Sequence, residues 1–476
     1  MKNCLKCLTF AVMLVLLLCV INNIFSFKYG GGIYSMQKFY DLEDDTVDLL
    51  VLGSSHAFEN INPAVLWEEH GIAAYDLCGS LQPLWNTYYY FKEALKTQTP
   101  KLVILEAYAT TFSTEYGDDS RIIRNTYGMK PSSDKLEALK ASIPPERFSE
   151  FAIGFTQYHT RYDSLSKADF IKNQGNNLFL DWKGFGCNME TTALELKAFP
   201  YLTEVGQMSP KTQYYYEKIL DLANEKEIPM MVLISPYAGI TEEEQKIYNE
   251  AARIALEKHI FFGDFNGCYQ LMGLDASSDL ADEHHLNYSG NQKYTKYLGD
   301  FLCENYNDYI IDRRGDEKYI SWERNAEYFR QLLYNENTKT ILDGSEYLNN
   351  LENKDYLAVI SMKNVNLEDR WIENELAFLE IENNYIENSM WIVKGKNILE
   401  HLMSTEKTSF HIELDNYSDL ALELVNDVDK VNPIIYNKVD YSKCPYGINI
   451  CIYDMKTGTF LDSVWLNTEN NLECIR

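Results

Sequence analysis

The chain has 476 residues, 46% hydrophobic and 24% charged, which are the proportions of folded globular protein, and its length predicts two or three domains. Its formal net charge is -28, and because residues 1–28 carry three lysines and no acid, the remainder is more acidic still. A surface of that sign repels nucleic-acid backbones and anionic headgroups, so no nucleic-acid partner is expected.

From Cys7 to Phe27 there is no charged residue, and about 20 apolar residues are what a helix needs to cross a bilayer. Lys2 and Lys6 precede this run, which predicts a cytoplasmic N-terminus, a single-pass anchor within residues 1–28, and an extracytoplasmic remainder attached to the cell membrane. The competing reading, a cleaved signal peptide, lacks a small-x-small cleavage site. Of ten cysteines, Cys4, Cys7 and Cys19 belong to this segment; the rest are sparse and odd in number, which argues against a disulfide framework.

Residues 29–46, with three consecutive glycines and acids at Glu43 to Asp45, read as a tether. "VDLLVLG" (47–53) reads as a buried strand, and Asn62 caps a helix that Pro63 starts. "IAAYDLCG" predicts a second strand, "PLWNTYYYFKEALKTQ" a helix and "KLVILEAY" a third strand. Residues 109–200 break the rhythm and read as an insertion or lid. It resumes where Ser209-Pro210 opens a helix, "MMVLIS" (230–235) forms a strand, and Thr241 with Glu244 makes a capping box. "IFFGDF" is the next strand, and "SGNQKYTKYLGDFLCENY" the closing helix. Uniformly apolar strands alternating with helices predict an α/β fold over 47–325, a doubly wound parallel sheet covered on both faces. Over 326–476 the texture turns Asn/Glu-rich with isolated strands such as "YLAVISMK", "SMWIVKG" and "GINICIYD", which predicts a separate α+β domain.

In an open parallel sheet, ligands collect outside the carboxyl ends of the strands. Ser54, Ser55 and His56 sit at such an end, and either hydroxyl could project into the crevice. "DLADEHHLNYSG" (279–290) supplies what a serine nucleophile needs. Its D-x-x-H spacing lets one loop hold Asp282 against one ring nitrogen of His285 and aim the other at the serine. His284 is the rival base, but its shorter spacing to Asp282 predicts that it points away. His56 adjoins the serine on what reads as an extended turn, where neighbouring side chains diverge. A metal reading of Asp282, Glu283, His284 and His285 also exists. Four adjacent residues cannot close one tetrahedral site, and neither a metal nor another cofactor is expected.

Gly53-Ser54-Ser55 after the first strand, Gly79 after the second, and Asp282-x-x-His285 before the closing helix together resemble an SGNH/GDSL-type hydrolase over roughly residues 45–310. With the membrane segment and the "HLN" that begins at His285, they are most similar to the extracytoplasmic group containing D-alanine transfer and exopolysaccharide acetylation proteins. The resemblance implies a flavodoxin-like three-layer fold, a triad of Ser55, His285 and Asp282, and an oxyanion hole from the backbone N–H groups of Ser55 and Gly79. Two departures stand out. Ser54 replaces the family's Asp, and "ILEAYATTF", with Glu106 and Tyr108, stands where a G-x-N-D block belongs. The third oxyanion donor is left to Asn60, or to His159 or Arg161 of the insertion. In the C-terminal region, the stretch from "NKDYLAVISMK" to "SMWIVKGK", followed by "GINICIYDMKTGTFLDSVWLNT", resembles the two halves of an interleukin-like EMT inducer domain in permuted order, which implies a carbohydrate-binding module. A spacer or oligomerisation domain is the alternative.

The function these resemblances imply is a serine acyl-ester enzyme, an O-acyltransferase or acylesterase, acting on a cell-envelope glycan or a polyol-phosphate polymer such as a teichoic acid. A transferase would need an acyl donor delivered across the membrane, and so an integral-membrane acyltransferase as partner; an esterase would need none. The alternative is a non-catalytic glycan-binding or assembly protein that retains the fold.

Overall fold

The structure, a computed structural model, describes residues 2–26, 31–152, 155–165, 182–366, 376–379, 381, 385–403, 408–414, 419–427, 429–467 and 473–476. Residues 166–181 of the expected insertion, and residues 367–375 and 382–384 within the stretch compared with the interleukin-like domain, lie outside the described residues. The chain divides into two compact units, Met1–Ala326 and Glu327–Arg476.

The first unit begins with α1 (Lys2–Phe25), which contains 21 residues, Leu5–Phe25, long and apolar enough to cross a membrane. Next comes α2 (Gly32–Phe39), where a tether was expected. Ile33, Met36 and Phe39 recur every three residues, so one helical face is apolar, and all three are buried. Then follow β1 (Leu49–Gly53), α3 (Ser55–Asn60), α4 (Pro63–His70), β2 (Ala74–Cys78), α5 (Leu84–Ala94) and β3 (Leu102–Glu106). The insertion opens with a 3-10 turn at Tyr108–Thr111 and contains α6 (Asp119–Thr126) and α7 (Ser133–Ser142). Its last described stretch, 182–209, has neither helix nor strand. The unit continues with α8 (Pro210–Glu225), β4 (Met230–Ile234), α9 (Glu242–Glu257), β5 (Phe261–Asp264) and α10 (Tyr288–Asn305).

The five strands form one parallel sheet in the order β2-β1-β3-β4-β5, a doubly wound order whose switch point falls between β1 and β3. Every residue of β1 to β4 is buried, as strands covered on both faces require. Leu49, Val51, Ile104 and Leu233 share a core with Ala57 of α3, Leu66 of α4 and Leu298 of α10. The alternate residues face the other way, towards the layer in which the Tyr216 hydroxyl of α8 donates to Ala251 O of α9 at 3.0 Å. Local signals set the helix starts: Asn62 accepts from Ala64 N with Pro63 at the first position, and Thr241 and Glu244 close a reciprocal box.

The boundary between the units falls within α11 (Ile320–Thr340), which α12 (Gly344–Asn350) follows. The second unit is mainly antiparallel. Its strands are β6 (Tyr356–Asn366), β7 (Tyr385–Lys394), β8 (Asn397–Met403), β9 (Ser409–Glu413), β10 (Asp419–Glu423), β11 (Ile434–Tyr436), β12 (Val439–Asp440), β13 (Gly447–Asp454), β14 (Thr459–Asn467) and β15 (Glu473–Ile475). They make a six-stranded sheet, β15-β14-β13-β6-β7-β8, and a four-stranded one, β12-β11-β10-β9. Alternation along β6 serves both layers: Ala358, Ile360 and Met362 pack with Tyr347 and Leu348 of α12, while Leu357 and Val359 pack with Leu420, Leu422 and Ile434.

Candidate active site

The carboxyl end of β1 is shaped by Gly53. A Cβ there would lie 2.9 Å from Ala57 Cβ and 3.0 Å from Glu106 Cβ, so glycine is what lets α3 and β3 close on the strand end. Ser54 O accepts from Ala57 N at 3.1 Å and Phe58 N at 3.4 Å, so the helix begins at once and Ser55 is its first residue. The extended turn expected here is therefore six residues of helix. The Ser54 hydroxyl is buried, without a hydrogen-bond partner among the described residues.

The loop between β5 and α10 brings the other predicted residues to Ser55. Asp282 Oδ1 accepts the backbone N–H of His284 at 2.7 Å and of His285 at 3.0 Å, folding the D-x-x-H stretch onto itself. His285 Nδ1 faces both carboxylate oxygens at 3.0 Å, and its Nε2 lies 2.8 Å from Ser55 Oγ. The carboxylate assigns the proton to Nδ1 and leaves Nε2 to accept from the serine. Burial alone would raise the Asp282 pKa, but hydrogen bonds from the His285 ring and the two backbone N–H groups outweigh it and hold the carboxyl below its ordinary range. A hydroxyl bonded to an imidazole whose other nitrogen faces an ionised carboxylate is the arrangement that makes a serine nucleophilic.

The loop is pinned from several sides. Leu286 N donates to Asn60 Oδ1 at 2.8 Å, and Asn60 Nδ2 is directed to Pro236 O at 3.5 Å. The amide oxygen of Asn60 is thus committed to holding the loop, while its Nδ2 makes one long contact. Residues 186–194 form a strap across both halves: Gly186 N donates to Phe58 O at 2.8 Å, Thr192 N to Leu280 O at 2.8 Å, and Tyr288 N to Asn188 O at 2.8 Å. Arg161 is placed elsewhere, its Nη1 donating to Phe25 O and Ser26 O at the end of α1. The side chain of His159 lies outside the described residues. Gly79 follows β2, which pairs Cys78 with Gly53, so it sits beside the Ser54–Ser55 turn.

Two histidines depart from expectation. His56 is wholly buried, stacked on Tyr108 at 3.6 Å between ring centroids, edge-on to Tyr237 at 4.8 Å, and 5.3 Å from the His285 ring. Burial, and then the neighbouring His285 and His284, push its pKa well down, so the ring is neutral, and neither nitrogen has a hydrogen-bond partner among the described residues. His284 does not point away: its ring is 6.0 Å from both His56 and Tyr108, because Asp282 holds its backbone in the same tight turn as that of His285. Among the described residues, no three His, Cys, Asp or Glu side chains gather as a metal's ligands would.

Sequence reasoning missed Tyr237 and Glu59 and gave no role to Glu106. Glu59 lies one helical turn beyond Ser55, where burial raises its pKa against the opposing pull of His285 and a contact of Asn188 Nδ2 at 3.4 Å. Glu106 ends β3, and burial pushes its pKa up to about 8 although the N–H groups of Tyr108 and Ser235 bond to it. An apolar strand ending in an acid was the available signal for Glu106; for Tyr237 there was none.

Compared with known proteins, the chain matches no family model, and no curated protein is detectably similar to it.

Proposed function

We propose that the first unit is a serine acyl-ester enzyme of the SGNH/GDSL type, an O-acyltransferase or acylesterase, acting outside the cell membrane on an envelope glycan or polyol-phosphate polymer. The observation that carries this reading is the continuous line from Ser55 Oγ to His285 Nε2 at 2.8 Å and from His285 Nδ1 to Asp282 at 3.0 Å. Ser55 Oγ attacks the acyl carbonyl carbon as its proton passes to His285 Nε2, and Asp282 stabilises the imidazolium. Collapse of the tetrahedral intermediate breaks the ester C–O bond, and the leaving alkoxide takes the proton from His285. A glycan hydroxyl or a water then attacks the acyl-serine, gives its proton to His285, and Ser55 regains one as it leaves. Preorganised donors at the carbonyl oxygen supply much of the rate of such a reaction, and the N–H groups of Ser55 and Gly79 are assigned to it. The strand order and the glycine-shaped turn at Ser55 support the family reading.

α1 retains the protein in the cell membrane with its N-terminus in the cytoplasm, on the strength of Lys2 and Lys6. In the transfer variant of the reaction, an integral-membrane acyltransferase supplies the acyl group, and the second unit holds the carbohydrate.

The test is fluorophosphonate labelling of the full chain in detergent, read by intact mass. One adduct on Ser55 is expected, absent from Ser55→Ala and His285→Ala, and slower by about 10⁴-fold in Asp282→Asn, where the ring loses its orienting charge. Well-folded protein that takes no adduct would overturn the reading in favour of a glycan-binding protein.

A further inference from the structure

The edge of the sheet that carries Ser55 is also the edge at which the chain arrives from α1. Gly31 and Gly32 lie against α6 and Gly79: a Cβ on Gly79 would be 3.0 Å from Gly32 N, and one on Gly31 would be 3.2 Å from Arg124 Cβ. α2 then runs back along β2, where Ser35 Oγ donates to Asp76 O at 2.9 Å and Phe39 meets Tyr75 edge-on at 5.1 Å. The chain enters β1 from the opposite edge, with Thr46 N and Val47 N donating to Gln98 Oε1.

Five Cα-to-Cα steps separate Ser26 from Gly31, and they reach at most about 17 Å. A second contact shortens the link. Arg161 belongs to the insertion, which leaves the sheet at the carboxyl end of β3. It donates to Phe25 O at 2.6 Å and Ser26 O at 2.9 Å, carbonyls at the helix end where intrahelical donors run out. A guanidinium there also meets the negative end of the helix dipole.

We infer that the carboxyl edge of the five-stranded sheet is the membrane-facing side of the first unit, and that the ester or hydroxyl meeting Ser55 is presented at the headgroup level of the bilayer. The acidic chain gains no attraction from anionic lipid, so the short covalent link and the Arg161 contact are what set the orientation. The opposite edge, across a unit of roughly 40 Å, faces away. The orientation rests on α1 spanning the membrane, and the substrate half of the statement rests on the reading of Ser55 as nucleophile.

Energy transfer to the bilayer tests the orientation without using the chemistry. Leu81, two residues beyond Gly79, is 43% exposed; Tyr162, beside Arg161, is 74% exposed; Leu256, at the end of α9 that leads into the amino edge of β5, is 73% exposed. Each is replaced in turn by a fluorescent amino acid in the full chain, reconstituted into nanodiscs with acceptor-labelled headgroups, with unlabelled discs as the zero. Transfer from positions 81 and 162 is expected to exceed that from 256 severalfold, and to be unchanged by Ser55→Ala. Equal transfer from all three, greater transfer from 256, or none from 81 and 162 would overturn the orientation. The two carboxyl-edge probes guard against one substitution unfolding the protein. Transfer as expected from a protein that takes no fluorophosphonate would leave the orientation standing and remove the enzyme reading alone.

Discussion

Replacing Glu106 by Gln should stabilise the first unit at neutral pH, by an amount that depends on pH in a defined way. Glu106 is fully buried; its Oε2 accepts Tyr108 N at 3.2 Å, the Ser235 N–H also favours the carboxylate, and Oε1 has no hydrogen-bond partner among the described residues. Burial raises its pKa from 4.5 to about 8. Between these two values the unfolded chain releases a proton that the folded protein keeps. Stability therefore falls as pH rises through this window, by about 1.4 kcal/mol per unit. At pH 7 the accumulated loss is about 3 kcal/mol, and Gln, which keeps the shape and the acceptor oxygen, escapes it. For a unit of roughly 300 residues, with an unfolding entropy of about 0.6 kcal/mol per kelvin, the gain corresponds to about 5 °C in melting temperature. Calorimetric melts of both proteins in one detergent from pH 4.5 to 8, following the transition of the first unit, should show the difference grow from near zero. A difference independent of pH, or a variant less stable at pH 7, would mean that Glu106 is ionised and paired, and would refute the reasoning.

Two substitutions probe how the site is assembled. Asn60→Ala leaves the buried Leu286 N–H without its acceptor, which should cost about 1–3 kcal/mol and slow fluorophosphonate labelling by loosening the His285 loop; unchanged labelling would free Asn60 of that role. Gly53→Ala places a methyl 2.9 Å from Ala57 Cβ and 3.0 Å from Glu106 Cβ, so melting should fall by the equivalent of about 1–3 kcal/mol. A Gly53→Ala protein with an unaltered melt would show that the spacing between β1 and α3 is slack.

What the sequence made legible was local. The apolar runs of β1 to β4, the caps at Asn62 and Thr241, and the D-x-x-H stretch each announce themselves within a few residues. What it concealed depends on distant partners. α2 hides behind three glycines, and its buried face has meaning only against β2. α3 is six residues long, too short for a helical period to emerge. His56 and His284 are turned inward by Tyr108 and Tyr237, which come from the ends of other strands. In the second unit, β9 to β12 are short, and several of their side chains are exposed or half-exposed, so no apolar run marked them beside β6, β7 and β13.

The contacts that hold the candidate nucleophile against its base join segments far apart in the chain. Ser55 and His285 are separated by 230 positions, Asn60 and Leu286 by 226, and Asn62 and Thr295 by 233. Closing loops of that length is entropically slow, so such pairings come late in folding. During synthesis Ser55 emerges long before His285, so the contact between them waits for the chain to be made through the loop before α10. The contacts that complete the candidate site are thus the same ones that close α10 onto the first helices of the unit.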